Sequence, residues 1–172
     1  MSGTSADAID AALVRIGGDP GDVELLAFRE EPLEESLRAR IHALASGSVE
    51  LRALVKLDVE LGERFAAAAL GVAQQAGVAL SRIRGIGSHG QTVGHFPEPE
   101  VRGTLQIGSA SAIHELTGRP VVSDFRRADL ADHPRHLRVL GDVVRQDGHE
   151  LVAVRPHPAA RDVEVEPAQE LA

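Results

Sequence analysis

A three-layer α/β domain is the fold class this sequence predicts, and three observations predict it. Two apolar runs open the chain around a dense turn cluster, two helical periodicities follow, and short buried-looking strands then alternate with a helix. With 172 residues and 43% apolar side chains, the chain can bury one such core. Ile9 to Ile16 is the first run, Gly17-Gly18-Asp19-Pro20-Gly21-Asp22 supplies the turn, and Val23 to Arg29 returns as the second strand of a hairpin. From Leu33 the apolar period becomes helical: Leu33, Leu37, Ile41 and Leu44 share a face, and Gly47 ends a helix that closes near Ala45. A longer helix runs from about Val49 to Ala76, with Leu54, Leu57, Leu61, Phe65, Ala68 and Val72 facing inward and Gly77 as its stop. Ile83 to Gly87 and Thr104 to Ile107 read as strands, Ser111 to Thr117 as a helix closed by Gly118, and Val121 to Phe125 as a strand.

After Ala131 the character changes. Residues 132–172 hold 4 of the 9 prolines and 4 of the 8 histidines, with no helical face that survives two turns, so this stretch is expected to be an atypical, poorly ordered tail. The valines within Gly141 to Val154 have no assigned place in the sheet.

Composition removes several function classes. The 18 basic and 26 acidic side chains give a net charge of −8, and aromatic residues make up 2%, so the basic stripe and stacking rings of a nucleic-acid surface are missing. The longest apolar run, Phe65 to Ala73, is far short of the roughly 20 residues that span a bilayer. Met1 to Asp10 lacks the basic start and apolar stretch of a signal peptide. Without cysteine there is no disulfide scaffold, thiolate zinc site or cysteine nucleophile, and a reducing cytoplasm is the expected location.

Three clusters carry chemistry. Met1-Ser2-Gly3-Thr4-Ser5-Ala6-Asp7-Ala8-Ile9-Asp10 offers backbone N–H groups and hydroxyls to phosphate oxygens, and Asp7 and Asp10 could hold a hydrated Mg²⁺; an ordinary turn is the alternative. It is no Walker A loop, because no Gly-Lys-Ser/Thr follows. Gly87-Ser88-His89-Gly90-Gln91-Thr92-Val93-Gly94-His95 places a glycine-flanked polar turn at a strand's carboxyl end, where open α/β sheets bind ligands. Ser88 and His89 are adjacent on a strand and point to opposite faces, which argues against a nucleophile pair. A two-histidine metal site from His89 and His95, and a plain surface loop, stay open. Val121-Val122-Ser123-Asp124-Phe125-Arg126-Arg127-Ala128-Asp129 ends a strand in a carboxylate and guanidinium groups that suit an anionic or hydroxylated ligand, or simply pair at the surface. Gln106 is a polar residue in a buried-looking strand and must find a partner there.

Together with Thr104-Leu105-Gln106-Ile107-Gly108, these clusters form four ordered motifs that resemble the anhydro-N-acetylmuramic acid kinase family over about residues 1–131. The resemblance implies an actin, hexokinase and Hsp70 type of lobe, ribonuclease H-like, with three layers and a mixed sheet, and ATP in the cleft between two lobes. It implies an ATP-dependent reaction that opens the ring of 1,6-anhydro-N-acetylmuramic acid with water and phosphorylates O6, giving N-acetylmuramic acid 6-phosphate in cell-wall recycling. By position, Gly3, Thr4, Ser5, Ala6, Asp7, Ala8, Ile9 and Asp10 match the family's ATP phosphate-binding turn, Mg²⁺ accompanying the nucleotide. Ala8 departs from the family's usual glycine, and a Cβ there would weaken close phosphate approach. Ser88, His89, Gln91, Thr92, Asp124 and Arg126 match motifs near the sugar side of the cleft.

The resemblance also implies segments that this sequence does not show. A Gly-Gly-x-Gly-Ala-Pro-Leu continuation is replaced by Asp132-His133-Pro134-Arg135-His136, as if translated in a shifted frame, and the Gly-x-Asp-x-Gly-Pro motif with its water-activating aspartate has no counterpart. Met1 aligns inside the family's first strand. No catalytic base is therefore assigned. A non-catalytic remnant or half of a split enzyme is the alternative, with a second-lobe partner or self-association through exposed cleft surface expected of it. A metal-dependent hydrolase built on His89 and His95 is the third.

Overall fold

The computed structural model describes residues 7–17, 22–47, 50–96, 98, 100–101, 103–130 and 149–156. The opening hairpin follows from its two β-rich runs. Strands β1 (Ala8–Ile16) and β2 (Val23–Pro32) pair antiparallel, Ile9 opposite Glu31 and Leu13 opposite Ala27, with a bulge after Leu13 that shifts the register. Ala8, Ile9, Asp10 and Ala11 are all buried, the run expected where a strand is covered on both faces rather than alternating in and out.

Helices α1 (Glu35–Ala45) and α2 (Leu51–Gln75) begin within two residues of their expected starts. Leu37 and Ile41 of α1 are buried, as are Leu57, Leu61, Phe65, Ala68 and Val72 of α2, so the expected apolar stripe is the one that meets the core. Small residues at Gly62, Ala66, Ala69 and Ala73 widen that stripe and let other elements approach α2 closely. A bidentate bridge from Arg40 to Glu60, at 3.0 and 2.7 Å, ties α1 to α2.

After a short 3₁₀ turn at Leu80–Arg82 the chain forms β3 (Ile83–Ser88), β4 (Gln91–Phe96), β5 (Gly103–Ile107), α3 (Ala110–Thr117), β6 (Val121–Val122), α4 (Phe125–Leu130) and β7 (His149–Pro156). Five strands make a mixed sheet in the order β2-β1-β7-β3-β6, with β7 antiparallel to β1 and parallel to β3, and β6 parallel to β3. Strands β4 and β5 form a separate antiparallel ribbon. Helix α2 packs against β1, β2 and β7, and α3 lies beside α2. This is a mixed α/β domain with one core that runs from Ile9 through Phe65 to Val152.

Three elements differ from the sequence reading, and a fourth, a strand as expected, pairs outside the main sheet. Gln91 to Phe96, expected within a glycine-rich loop, is a strand, because its alternation of buried Gln91 and Val93 with more open neighbours suits a two-stranded ribbon. Thr104 to Ile107 is a strand as expected, but it pairs with β4 and not in the main sheet. The strand expected over Val121 to Phe125 stops at Val122: Asp124 adopts φ 67°, which no strand continues, and α4 begins at Phe125. Finally, His149–Pro156, within the stretch expected to be a poorly ordered tail, is a strand between β1 and β3. The remainder of residues 132–172 lies outside the described residues.

Candidate functional site

Three chain reversals meet at one end of the sheet. The first follows β3, where Ser88 and His89 lead into Gly90 at φ 71°, a conformation that suits glycine; a Cβ there would lie 3.0 Å from that of Gln106. The second follows β5, where Gly108 at φ 120° turns the chain into Ser109, the N-cap of α3, whose Oγ accepts from the Ala112 N–H at 3.3 Å. The third follows β6, where Ser123 and Asp124 turn the chain into α4. Left-handed geometry at a non-glycine residue stores strain, and such strain gathers at ligand sites.

The reversals enclose a cleft of about 280 Å³. Ser88, His89, Gln106, Ser109, Asp124 and Arg127 line it, and Asp58 of α2 closes one side. Ser88 is 1% exposed, and among the described residues its Oγ has no hydrogen-bond partner. The Oε1 of Gln106 is also buried without a partner, although its Nε2 donates to Thr104 Oγ1 at 2.6 Å and to Thr92 Oγ1 at 3.2 Å. Buried polar atoms nearly always find partners, so two orphaned oxygens on residues of one polar cleft mark it as a place where a hydroxylated or amide-bearing ligand could supply them.

His89 is held in one tautomer. Its Nδ1 donates to the Gly90 carbonyl at 3.0 Å, which leaves Nε2 as an acceptor facing the Arg126 Nε at 3.5 Å. Asp124 pairs with Arg127 at 3.6 Å, an exposed contact that a ligand anion could replace.

Of the sugar-side candidates, Ser88, His89 and Asp124 line the cleft. Arg126 acts behind it, through His89, while Arg127 takes the lining position. Gln91 is buried in β4 with its Nε2 on the Thr92 carbonyl, and Thr92 braces Gln106. These two therefore support the cleft wall and do not line it. The sequence reading gave Gln106 as a buried polar residue within one motif and Arg127 as part of the Val121–Asp129 cluster, without assigning either to the cleft, and it missed Asp58 and Ser109; Asp58 carried no local signal, lying within a helix among charged neighbours.

Of the phosphate-turn candidates, Gly3, Thr4, Ser5 and Ala6 lie outside the described residues. Asp7 pairs with Arg38 at 2.7 Å, Ala8 and Ile9 are buried at the start of β1, and Asp10 is 3% exposed and partnered. The register fixes where this segment stands relative to the cleft. Val154 of β7 is opposite both Ala11 of β1 and Ser88 of β3, so β1 begins at the same sheet end at which β3 finishes, about 10 Å away across one intervening strand. Among the described residues, no group of three or more His, Asp or Glu is placed to hold a metal ion, and His89 and His95 are not joined by a third ligand.

Comparison with known proteins decides the family. The family model described as anhydro-N-acetylmuramic acid kinase matches residues 1–133. The chain belongs to the anhydro-N-acetylmuramic acid kinase family. A relative of that name from Xanthomonas oryzae pv. oryzae is 50% identical over 134 residues, 76% of this chain and 36% of its own length. Those from Xylella fastidiosa and Vibrio vulnificus are 44% and 42% identical, covering 82% and 76% of this chain and 40% and 35% of theirs. The chain thus spans between a third and two fifths of the length of these relatives. The family match spans all three reversals of the cleft and ends before β7.

Proposed function

We propose that this chain is the sugar- and phosphate-binding lobe of an anhydro-sugar kinase, of the actin, hexokinase and Hsp70 architecture with three layers. The whole enzyme would use ATP and water to open 1,6-anhydro-N-acetylmuramic acid and form N-acetylmuramic acid 6-phosphate in the cytoplasm. The observation that carries the reading is the cleft itself: orphaned Ser88 and Gln106 oxygens at a sheet end where β1 also begins, within the stretch that matches the family.

In this reading the Ser88 hydroxyl and Gln106 amide oxygen bond the sugar's hydroxyl and acetamido groups, and Arg127 exchanges Asp124 for the muramic acid carboxylate. The His89 Nε2 lone pair is taken by the Arg126 Nε–H, so a sugar O–H reaches it only by displacing that long contact. These contacts orient the substrate so that its O6 faces nucleotide bound over residues 3–10, and positioning of this kind supplies much of the acceleration in phosphoryl transfer. Magnesium carried by ATP keeps most of its waters and needs one or two carboxylates. Asp10 is enclosed and already partnered, so Asp7, half-exposed and held by Arg38, is the carboxylate that would hold it in this reading.

The test is titration of the purified chain with 1,6-anhydro-N-acetylmuramic acid and, separately, with Mg-ATP, followed by amide NMR. Sugar is expected to shift the Ser88, Gly108 and Asp124 amides, and nucleotide those of residues 3–10. An unchanged spectrum at millimolar concentrations of both ligands removes the proposal.

A further inference from the structure

We propose that Asp58 is a positioning residue that sets the shape of the cleft; its part in ligand binding rests on the sugar-lobe reading above. Asp58 stands in the N-terminal third of α2, about one turn before Gly62 and two before Phe65, so the three share a face. That face meets the Gly108–Ser109 reversal. The Gly108 N–H donates to Asp58 Oδ1 at 2.8 Å, and the Ser109 N–H donates to the Asp58 main-chain carbonyl at 2.9 Å. One residue therefore satisfies two successive amides of the turn, and the carboxylate bond is charge-assisted.

Sterics hold the same turn from the other sides. A Cβ on Gly62 would lie 2.6 Å from the Ser109 carbonyl oxygen and 3.0 Å from Ala112 Cβ, so the helix can approach this closely only with glycine there. Gly108, at φ 120°, has the Phe65 ring where a Cβ would point. The turn so fixed carries Ser109, the cap of α3, and forms the cleft wall that Gln106 enters. Loss of the Asp58 side chain frees the Gly108 amide and loosens the wall, although the core beneath it, Leu57, Leu61 and Phe65, stays intact.

The experiment compares the full chain with its Asp58→Ala and Asp58→Asn variants by amide hydrogen exchange and by titration with 1,6-anhydro-N-acetylmuramic acid. In Asp58→Ala the Gly108 amide is expected to exchange about tenfold faster and sugar to bind about tenfold more weakly. Asparagine keeps an acceptor oxygen, so Asp58→Asn is expected to recover most of both, a rescue that a carboxylate acting as acid or base would not show. In the unmodified chain, a scalar coupling across the hydrogen bond from the Gly108 amide nitrogen to the Asp58 carboxyl carbon gives the same answer should Asp58→Ala fail to fold. An absent coupling, a Gly108 amide indifferent to Asp58→Ala, or faster exchange with unchanged sugar affinity overturns the proposal. If the unmodified chain takes up no sugar, the lobe reading falls, and Gly108 exchange still decides whether Asp58 fixes the turn.

Discussion

Ser88 gives the described fold nothing through its hydroxyl: the Oγ is buried and bonds to no group among the described residues. A buried donor without a partner costs stability, so its removal should be free or slightly favourable to folding while a ligand that completes it should notice the loss. Ser88→Ala is expected to leave the melting temperature unchanged or slightly raised and to weaken sugar binding about tenfold, measured by thermal melts and titration of the same sample. A clear fall in melting temperature would mean that the hydroxyl has a structural partner after all. Asp124 makes the complementary case. At φ 67° its backbone is one that glycine adopts without strain, so Asp124→Gly should stabilise the chain by about 0.5–1 kcal/mol over Asp124→Ala, and both should leave sugar binding unchanged or slightly tighter, because Arg127 then meets the sugar carboxylate without first leaving Asp124. Denaturant titration of the pair checks the order. At this scale the sequence was legible where glycines flank polar residues, as around Ser88 and His89, because such a pattern has few packing explanations. Asp58 was not legible, since its partner Gly108 is 50 residues away and its surroundings on α2 read as an ordinary solvated helix face.

Helices α1 and α2 were readable to within a residue or two because the 3.6-residue period of their apolar faces is local information. Strand β7 was not, for the opposite reason: a short valine-rich segment has no period of its own, and its place between β1 and β3 comes from backbone groups on two strands far away in sequence. That placement makes β7 the sheet's central strand, and its Val152 is 1% exposed within the shared core. Val152→Asp would bury an unpaired charge there and is expected to destabilise by more than about 4 kcal/mol, a large part of the stability of an ordinary domain, and to lower the melting temperature sharply. Retention of the wild-type melt would show that the sheet stands without β7. The join between α1 and α2 predicts a subtler effect. A hydrogen bond from Arg40 holds Glu60 below the ordinary carboxylate range, so the bridge stabilises above about pH 4.3 and its contribution is lost as pH falls through the lowered value. Glu60→Gln should therefore cost under about 1 kcal/mol at pH 7, the bridge being part-exposed, and the difference should shrink at a pH well below the ordinary carboxylate range. Equal destabilisation at both pH values would assign the loss to packing instead.

On the scale of the whole molecule, the sheet end presents a polar cleft and, one strand away, the start of β1, but phosphoryl transfer asks for more than two binding surfaces on one lobe. It needs the nucleophile, the γ-phosphate and the proton acceptor brought into line and closed from water, and general-base catalysis alone contributes about 10²–10⁴-fold. The chain matches about 36% of the length of the Xanthomonas oryzae relative, so the groups for alignment and proton removal are expected from the portion it does not match. Two measurements on one preparation separate binding from turnover. With sugar and Mg-ATP the chain alone should show saturable sugar binding by titration and no N-acetylmuramic acid 6-phosphate by mass spectrometry. Addition of a separately produced polypeptide covering the unmatched portion of that relative should restore product formation, because lobes built on opposite sides of a cleft need no covalent link to enclose the same substrate, only enough affinity to meet. Product from the chain alone would instead place a complete set of catalytic groups within this sequence, and Asp58, Asp124 and His89, the titratable groups at the cleft, would then become the residues to replace one by one.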